Sequence, residues 1–194
     1  MRLYLASTSP RRIKILKSLK LKFSIIKPSF IEPAVKNNAR PKRLALTLAL
    51  LKALSASRQV KNGVVIGMDT IVMINNNILG KPENSTAAQR MIKLLSNKTH
   101  QVITGVAIIR LPEYKIFADV EKTLVTFRRL TNQEIDEYIK TREPYDKAGA
   151  YAIQGTAGMF IKKISGCYLN VIGLPVSLFL KLLKKAGWHP VISG

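Results

Sequence analysis

Residues 7–12, Ser7-Thr8-Ser9-Pro10-Arg11-Arg12, bring together the side-chain and backbone chemistry that binds phosphate. Ser9 is suited to cap a helix and Pro10 to fill its first position. Backbone N–H groups then project from the helix start, where the dipole favours an anion. Arg11 and Arg12 fall in that first turn, with forked donors that match phosphate oxygens. Their charge opposes the dipole, so helix stability alone would not place them there, whereas a bound anion would. In isolation the same residues also describe a capped surface helix with solvated arginines.

Carboxylates narrow the search. Up to Lys81 the chain has two, Glu32 and Asp69. Acidic groups that scarce are poor candidates for surface decoration, so metal binding or proton transfer in the first half must draw on them. Asp69 stands in Gly67-Met68-Asp69-Thr70, at the end of an apolar run over 64–68. That run reads as a buried strand with Asp69 at its C-terminal end, the edge where α/β sheets bind ligands. Burying the carboxylate there is costly without a metal or a donor. Lys81, in Leu79-Gly80-Lys81-Pro82, follows a turn whose glycine would allow close approach. Lys52 comes four positions after Leu48, on or beside the apolar stripe of its helix, a place from which lysines usually snorkel outward. Residues 143–155, EPYDKAGAYAIQG, read as a base-recognition loop in which the Gln154 amide can donate and accept. His100 and His189 are isolated. The sequence has no HExxH, no Ser-His-Asp arrangement and no Walker A pattern, which sets aside zincin, triad and P-loop chemistry.

Periodicity assigns the elements that must carry these groups. Residues 2–6 form a short strand, followed by a helix with Ile13, Leu16 and Leu19 on one face. A strand over 22–27 precedes a helix from Pro41 to about Ser57, with Leu44, Leu48 and Leu51 as its stripe. After the 64–68 strand, residues 71–74 and 78–79 flank Asn75-Asn76-Asn77 as a hairpin. A helix from about Asn84 to Leu95 carries Ala88, Met91, Ile92 and Leu95 at i, i+3, i+4 and i+7. Two long β segments span 101–110 and 115–127. Thr131 and Glu134 have capping-box spacing ahead of Ile135, Tyr138 and Ile139. Residues 159–164 and 168–172 read as strands, and a last helix begins at Pro175 and stops at Gly187. The fold class is α/β, or α+β, with a mixed β-sheet flanked by helices. No repeat or linker divides the chain, so one domain over 1–194 is expected.

Composition sets the outer bounds. Apolar residues make up 47 % of the 194 residues, far from the disordered class. No apolar run could span a bilayer, and the apolar start is too short for a signal-peptide core. The single cysteine, Cys167, excludes an internal disulfide and fits a reducing, cytoplasmic setting; it reads as a small half-buried residue. Thirty-two Lys and Arg against eleven Asp and Glu give a net charge of +21, which favours phosphorylated small molecules or nucleic acid as partners. The lysines are scattered and aromatics are only 7 %, which does not suit a single-strand binder. Solvated lysine-rich faces account for the same surplus.

Together the segments LASTSPRR at 5–12, GMDTIV at 67–72, ILGKP at 78–82, HQVITGVA at 100–107, EPYDKAGAYAIQG at 143–155 and GLP at 173–175 resemble the Maf family. The resemblance covers about residues 3–183. It implies a nucleoside triphosphate pyrophosphatase acting by metal-assisted attack of water on the α-phosphorus. It also implies a two-lobed, inosine triphosphatase-like fold with a central cleft, a Mg²⁺ or Mn²⁺ cofactor and a homodimer. Ser7, Arg11 and Arg12 match the family's phosphate-binding helix start, and Lys52 and Lys81 match further phosphate-binding positions. Glu32 and Asp69 match its metal-binding positions, with Asp69 the proton acceptor. Arg11, Thr70 and Gln154 match the branch acting on dTTP and UTP, whereas the 7-methyl-GTP branch is acidic where Gln154 stands. The chain departs from the family at Ile31, where an acidic residue is frequent, and at Ser96-Asn97-Lys98 in place of a frequent Ser-Gly-Arg. The lysine surplus is not a family trait, and it keeps a non-catalytic nucleic-acid-binding or division-regulating protein as an alternative, beside a 7-methyl-GTP pyrophosphatase and an enzyme for modified pyrimidine nucleotides.

Overall fold

A computed structural model describes residues 1–29 and 40–189. Its elements in chain order are β1 (Leu3–Ala6), α1 (Pro10–Ser18), β2 (Phe23–Ile25), α2 (Pro41–Ser57), β3 (Gly63–Ile74), β4 (Asn77–Leu79) and α3 (Ser85–Leu95). There follow β5 (Thr99–Leu111), β6 (Lys115–Phe127), α4 (Asn132–Ile139), β7 (Ile161–Ser165), α5 (Tyr168–Ile172) and α6 (Val176–Lys185). The strands form one mixed sheet in the order β2-β1-β3-β5-β6-β7, with β4 also on β3. Pairing is parallel for β1 with β2 and β3, and antiparallel elsewhere.

Alternation along β3 explains the layers, since successive side chains point to opposite faces. Val64, Ile66 and Met68 enter a core with Leu3, Leu5, Ile15 and Leu16 and with Leu178, Phe179, Leu182 and Leu183 of α6. Val72 and Ile74, on the same face, enter another core with Ala88, Ile92 and Leu95 of α3 and Ile135, Tyr138 and Ile139 of α4. Each fully buried Leu, Ile or Phe contributes roughly 1.5–3 kcal/mol, so both cores are anchored independently along one strand. Thr70 falls between them.

The opposite face is covered by α2. Its buried residues Ala45, Ala49 and Ala53 recur every fourth position and meet Ile71, Val65, Ala107 and Ile109. Gly67 of β3 and Gly105 of β5 let this helix rest on the strands. A Cβ at Gly67 would lie 2.1 Å from the Ala49 carbonyl oxygen, and one at Gly105 would lie 2.3 Å from that of Ala45.

Several expectations change. The stripe of α2 is made of alanines with Leu48, and Leu44 and Leu51 are only half-buried. The strands expected at 64–68 and 71–74 are one strand, so Asp69 sits within β3 and not at its end. Residues 168–172 form the short helix α5, closed by Gly173 in a left-handed conformation (φ 114°). Val171 and Ile172 have β-branched side chains that mislead a propensity reading, and Asn170, fully buried, decides the local geometry through its hydrogen bonds. The strand expected at 159–164 begins at Ile161, after a 3₁₀ turn. The capping box of α4 forms as expected, with Thr131 and Glu134 bonding reciprocally.

Candidate functional site

Sheet pairing leaves one edge of β3 open at its middle. Strand β5 occupies one edge from Gly63 to Met73. On the other, β1 covers Val64 to Gly67 and β4 covers Val72 to Ile74. Asp69 and Thr70 therefore lie where β1 has left the sheet and β4 has not begun. An open sheet edge beside Asp69 is present, and it is made by the end of β1. A cavity of about 660 Å³ opens there, lined by Ser7, Arg11, Arg12, Lys52, Asp69, Thr70, Lys81 and Gln154 among others. All the site residues expected from the sequence are thus brought together except Glu32, which lies outside the described residues.

The first wall is the start of α1. Ser9 holds the N-cap position with Pro10 at the helix start, but the Ser9 side chain makes no cap bond and the first turn holds no acidic residue. The N–H groups of that turn are left for a ligand. Ser7, buried, accepts hydrogen bonds from the Ser9 N–H and from Arg12 Nη1, both at 3.3 Å. Arg12 is only 8 % exposed. It also donates through Nε to the Gly173 carbonyl at 2.8 Å and through Nη2 to Thr70 Oγ1 at 3.0 Å. The Thr70 hydroxyl can then donate to Thr104 Oγ1 at 2.9 Å, and Thr104 donates to the Asn170 carbonyl at 3.3 Å. Burial holds the Arg12 guanidinium below its ordinary value, with Asp69 opposing and Arg11 adding to the effect. An arginine nonetheless stays protonated. A buried cation beside a second arginine, held by neutral oxygens, is an electrostatic demand for an anion.

Beneath that wall, Lys52 Nζ donates to Asp69 Oδ1 at 2.5 Å, both side chains mostly buried. The expectation that Lys52 snorkels outward is corrected: α2 lies so close to the sheet that its lysine reaches the β3 carboxylate directly. The other Asp69 oxygen makes no hydrogen bond among the described residues.

The far wall is built from loops. Among the described residues nothing lies within 4 Å of a Cβ placed at Gly80, and its carbonyl accepts from the Gly149 N–H at 3.0 Å. That bond ties the Lys81 turn to the loop of residues 146–155. Glu143 supports the loop by accepting from Thr156 N–H at 2.7 Å and Ala157 N–H at 3.2 Å. Gln154 is exposed and lines the cavity. Tyr151 lines it too, and its hydroxyl lies 2.7 Å from Nε2 of buried His100. Burial pushes the His100 imidazole down to about 4, so it is neutral, and burial pushes the Tyr151 phenol up. His100 is isolated in the sequence, and Asp146 and Lys147 read there as part of the loop 143–155; in the structure both of the latter line the cavity as an ion pair. The Asp-Lys dipeptide in a loop otherwise small and aromatic was the available signal.

A metal fits this donor set in one way. Among the described residues no three His, Cys, Asp or Glu side chains converge. A hard cation held partly by substrate phosphates needs only one or two carboxylates, and Asp69, with one oxygen unbonded among the described residues, meets that need.

A mixed α/β sheet whose interrupted edge holds a cationic helix start and one buried carboxylate defines a phosphate-ester or anhydride-binding protein. The chain belongs to the Maf family: the model described as Maf-like protein matches residues 2–186. It is 45 % identical over 188 residues to a protein of Carboxydothermus hydrogenoformans named dTTP/UTP pyrophosphatase, covering 97 % of this chain and 100 % of that one. A protein of the same name from Clostridioides difficile is 44 % identical over 185 residues, covering 95 % of each chain. Another, from Geobacillus sp., is 44 % identical over 186 residues, covering 96 % and 98 %. Among solved structures, the Staphylococcus aureus Ham1 protein is similar at TM-score 0.46 and 14 % identity, over 82 % of this chain and 91 % of that one.

Proposed function

We propose that this chain hydrolyses dTTP and UTP to the monophosphate and pyrophosphate. The observation that carries the reading is the buried, neutrally solvated Arg12 at an uncapped helix start, in one cavity with the Lys52–Asp69 pair. The triphosphate lies against α1, where Ser7 and the first-turn N–H groups donate to its oxygens and Arg11 and Arg12 neutralise them. Lys81 neutralises them from the far wall. Asp69, oriented by Lys52, accepts the proton of the water that attacks the α-phosphorus, and pyrophosphate leaves. Preorganised cations that meet charge as it spreads over the phosphoryl oxygens supply most of the rate. Magnesium or manganese, held by Asp69 with Glu32 and the phosphates, would add Lewis-acid polarisation of a phosphoryl oxygen.

Gln154 selects the base. A pyrimidine ring offers one N–H between two carbonyls, which a side-chain amide complements and a carboxylate does not. The 44–45 % identity to proteins named dTTP/UTP pyrophosphatase supports that choice. Thr70, with its hydroxyl bonded to Arg12 and Thr104, contributes by fixing the guanidinium.

The test is pyrophosphate release from a panel of nucleoside triphosphates with Mg²⁺ or Mn²⁺, wild type beside Asp69→Asn. Turnover of dTTP and UTP that falls by about 10²- to 10⁴-fold in the variant is the expected result. Near-normal turnover in Asp69→Asn removes Asp69 as the base. Activity confined to 7-methyl-GTP keeps the phosphate chemistry and overturns the role of Gln154. Binding of DNA or RNA that falls steeply with salt, without hydrolysis, would instead support the reading of the +21 charge as a nucleic-acid surface.

A further inference from the structure

The far wall of the cavity holds a lysine that the mechanism above does not use. Lys147 lines the cavity and forms an ion pair with Asp146, its sequence neighbour. The two partners differ in environment: the Lys147 side chain is 14 % exposed and that of Asp146 is 71 % exposed. An ion pair between adjacent surface residues contributes little to stability, so stability does not explain sheltering an ammonium here. The loop that carries it is well placed. The Gly149 N–H bonds the Gly80 carbonyl at 3.0 Å, so Lys147 and Lys81 stand on loops joined to one another. Gly149 has a φ of 72°, and a Cβ there would meet the Val72 side chain at 3.0 Å, so the loop rests directly on β3. Burial favours the neutral Asp146 carboxyl, but the hydrogen bond and charge of Lys147 and the charge of Arg11 outweigh it and hold the group below its usual range. Asp146 thus feels the cations of both walls.

We propose that Lys147 is a further ligand of the triphosphate, and that Asp146 is its resting counter-ion, displaced when the substrate's phosphates enter. This rests on the function proposed above and deepens it. In the empty cavity the exposed carboxylate partly satisfies Lys147 and the field of Arg11. A polyanion replaces it with several oxygens, and Asp146 swings to solvent. The cavity therefore discriminates by charge: a ligand that does not out-compete one carboxylate does not gain Lys147.

The two residues are predicted to act with opposite sign, which a structural role would not do. Lys147→Gln, Lys147→Arg and Asp146→Asn are compared with wild type by steady-state dTTP turnover, and by calorimetric binding of α,β-methylene-dTTP and of inorganic tripolyphosphate. Loss of a charge-assisted contact should weaken binding of both probes by about 10- to 100-fold in Lys147→Gln. The arginine variant should recover most of that loss. Removal of the competing carboxylate should tighten binding by about two- to fivefold in Asp146→Asn. Unchanged binding in Lys147→Gln, with thermal stability intact, overturns the proposal. So does an Asp146→Asn variant that binds as weakly as Lys147→Gln, because Asp146 would then support the site. Tripolyphosphate separates the failures: wild type that hydrolyses no nucleotide refutes the proposed reaction, while the tripolyphosphate series still judges Lys147.

Discussion

Gly67→Ala perturbs the contact that sets the distance between Lys52 and Asp69. The added Cβ would lie 2.1 Å from the Ala49 carbonyl oxygen, 2.7 Å from the Ala53 nitrogen and 2.9 Å from the Ala53 Cβ. Optimal carbon contacts lie at about 3.5–4 Å, so α2 must retreat by roughly 1 Å or β3 must distort. The two nearest atoms are helix backbone, which has no rotamer to yield. Lys52 stands between Ala49 and Ala53, so a retreat of α2 lengthens its reach to Asp69. Overpacking costs about 1–3 kcal/mol, and more where backbone must move; with some 2–4 kcal/mol the Tm falls by about 5–15 °C for a chain of this size. A 1 Å error in placing a catalytic group costs about 10²-fold in kcat. Thermal unfolding by circular dichroism and dTTP turnover, measured on one preparation, give both numbers. A Tm within about 1 °C of wild type would show that α2 does not rest on the strand as described. A large loss of Tm with full kcat would show that helix packing and site geometry are uncoupled.

Two further outcomes follow from buried polar groups. Arg12→Lys keeps the charge, but an ammonium on a shorter, unforked stem cannot serve the Gly173 carbonyl, Ser7 Oγ and Thr70 Oγ1 together. With a buried acceptor unmet at about 1–3 kcal/mol, dTTP kcat/KM should fall by at least about tenfold and Tm should drop, which steady-state kinetics and thermal melts will read. His100 is held at about 4 by burial, against 6.5 when free. Its folded form therefore binds fewer protons than the unfolded chain between those values. Its contribution is intact above pH 6.5 and is lost progressively as pH falls towards 4. The loss approaches about 3 kcal/mol. Urea unfolding at stepped pH should show this slope, and His100→Gln, which keeps a partner for Tyr151, should flatten it.

How much of this was legible in the sequence depends on whether a signal is local. The helix start at 9–12, the capping box at Thr131 and Glu134, and the paired long strands are set by neighbours in sequence, and they form where expected. Scarcity of carboxylates in the first half points to Asp69, which the structure places on the cavity wall. The stripe of α2 differs from the expected one because residues 44–56 are apolar nearly all round, so periodicity has little contrast. What selects the alanine face is Gly67 and Gly105, residues far along the chain. The pairing of Lys52 with Asp69 is hidden for the same reason, since its reach depends on that close approach. The fate of 168–172 was hidden because Asn170 finds its partners at Val102 and Thr123, on other strands.

The polar seam between the two cores argues that the site, and not stability, shaped this part of the sheet. On the face shared by α1, α6, α3 and α4, apolar residues at 70 and 104 would merge the cores and raise stability by the usual measure of buried area. Instead Thr70, Thr104 and Thr123 carry hydroxyls there, and Asn170 Oδ1 is buried with no partner among the described residues. An unmet buried acceptor costs about 1–3 kcal/mol. What the seam provides is a rigid line of hydrogen bonds running from Arg12 through Thr70 and Thr104 to α5. The same α5 ends at Gly173, whose carbonyl holds the other side of the guanidinium. The arginine is thus fixed from two directions by groups that are themselves fixed. A cation held by neutral oxygens keeps its charge for the ligand, whereas a carboxylate in any of those places would cancel it. The interrupted β1 completes the logic: had it continued beyond Ala6, its backbone would cover the edge beside Asp69, and the serine turn at 7–9 carries the chain away just there.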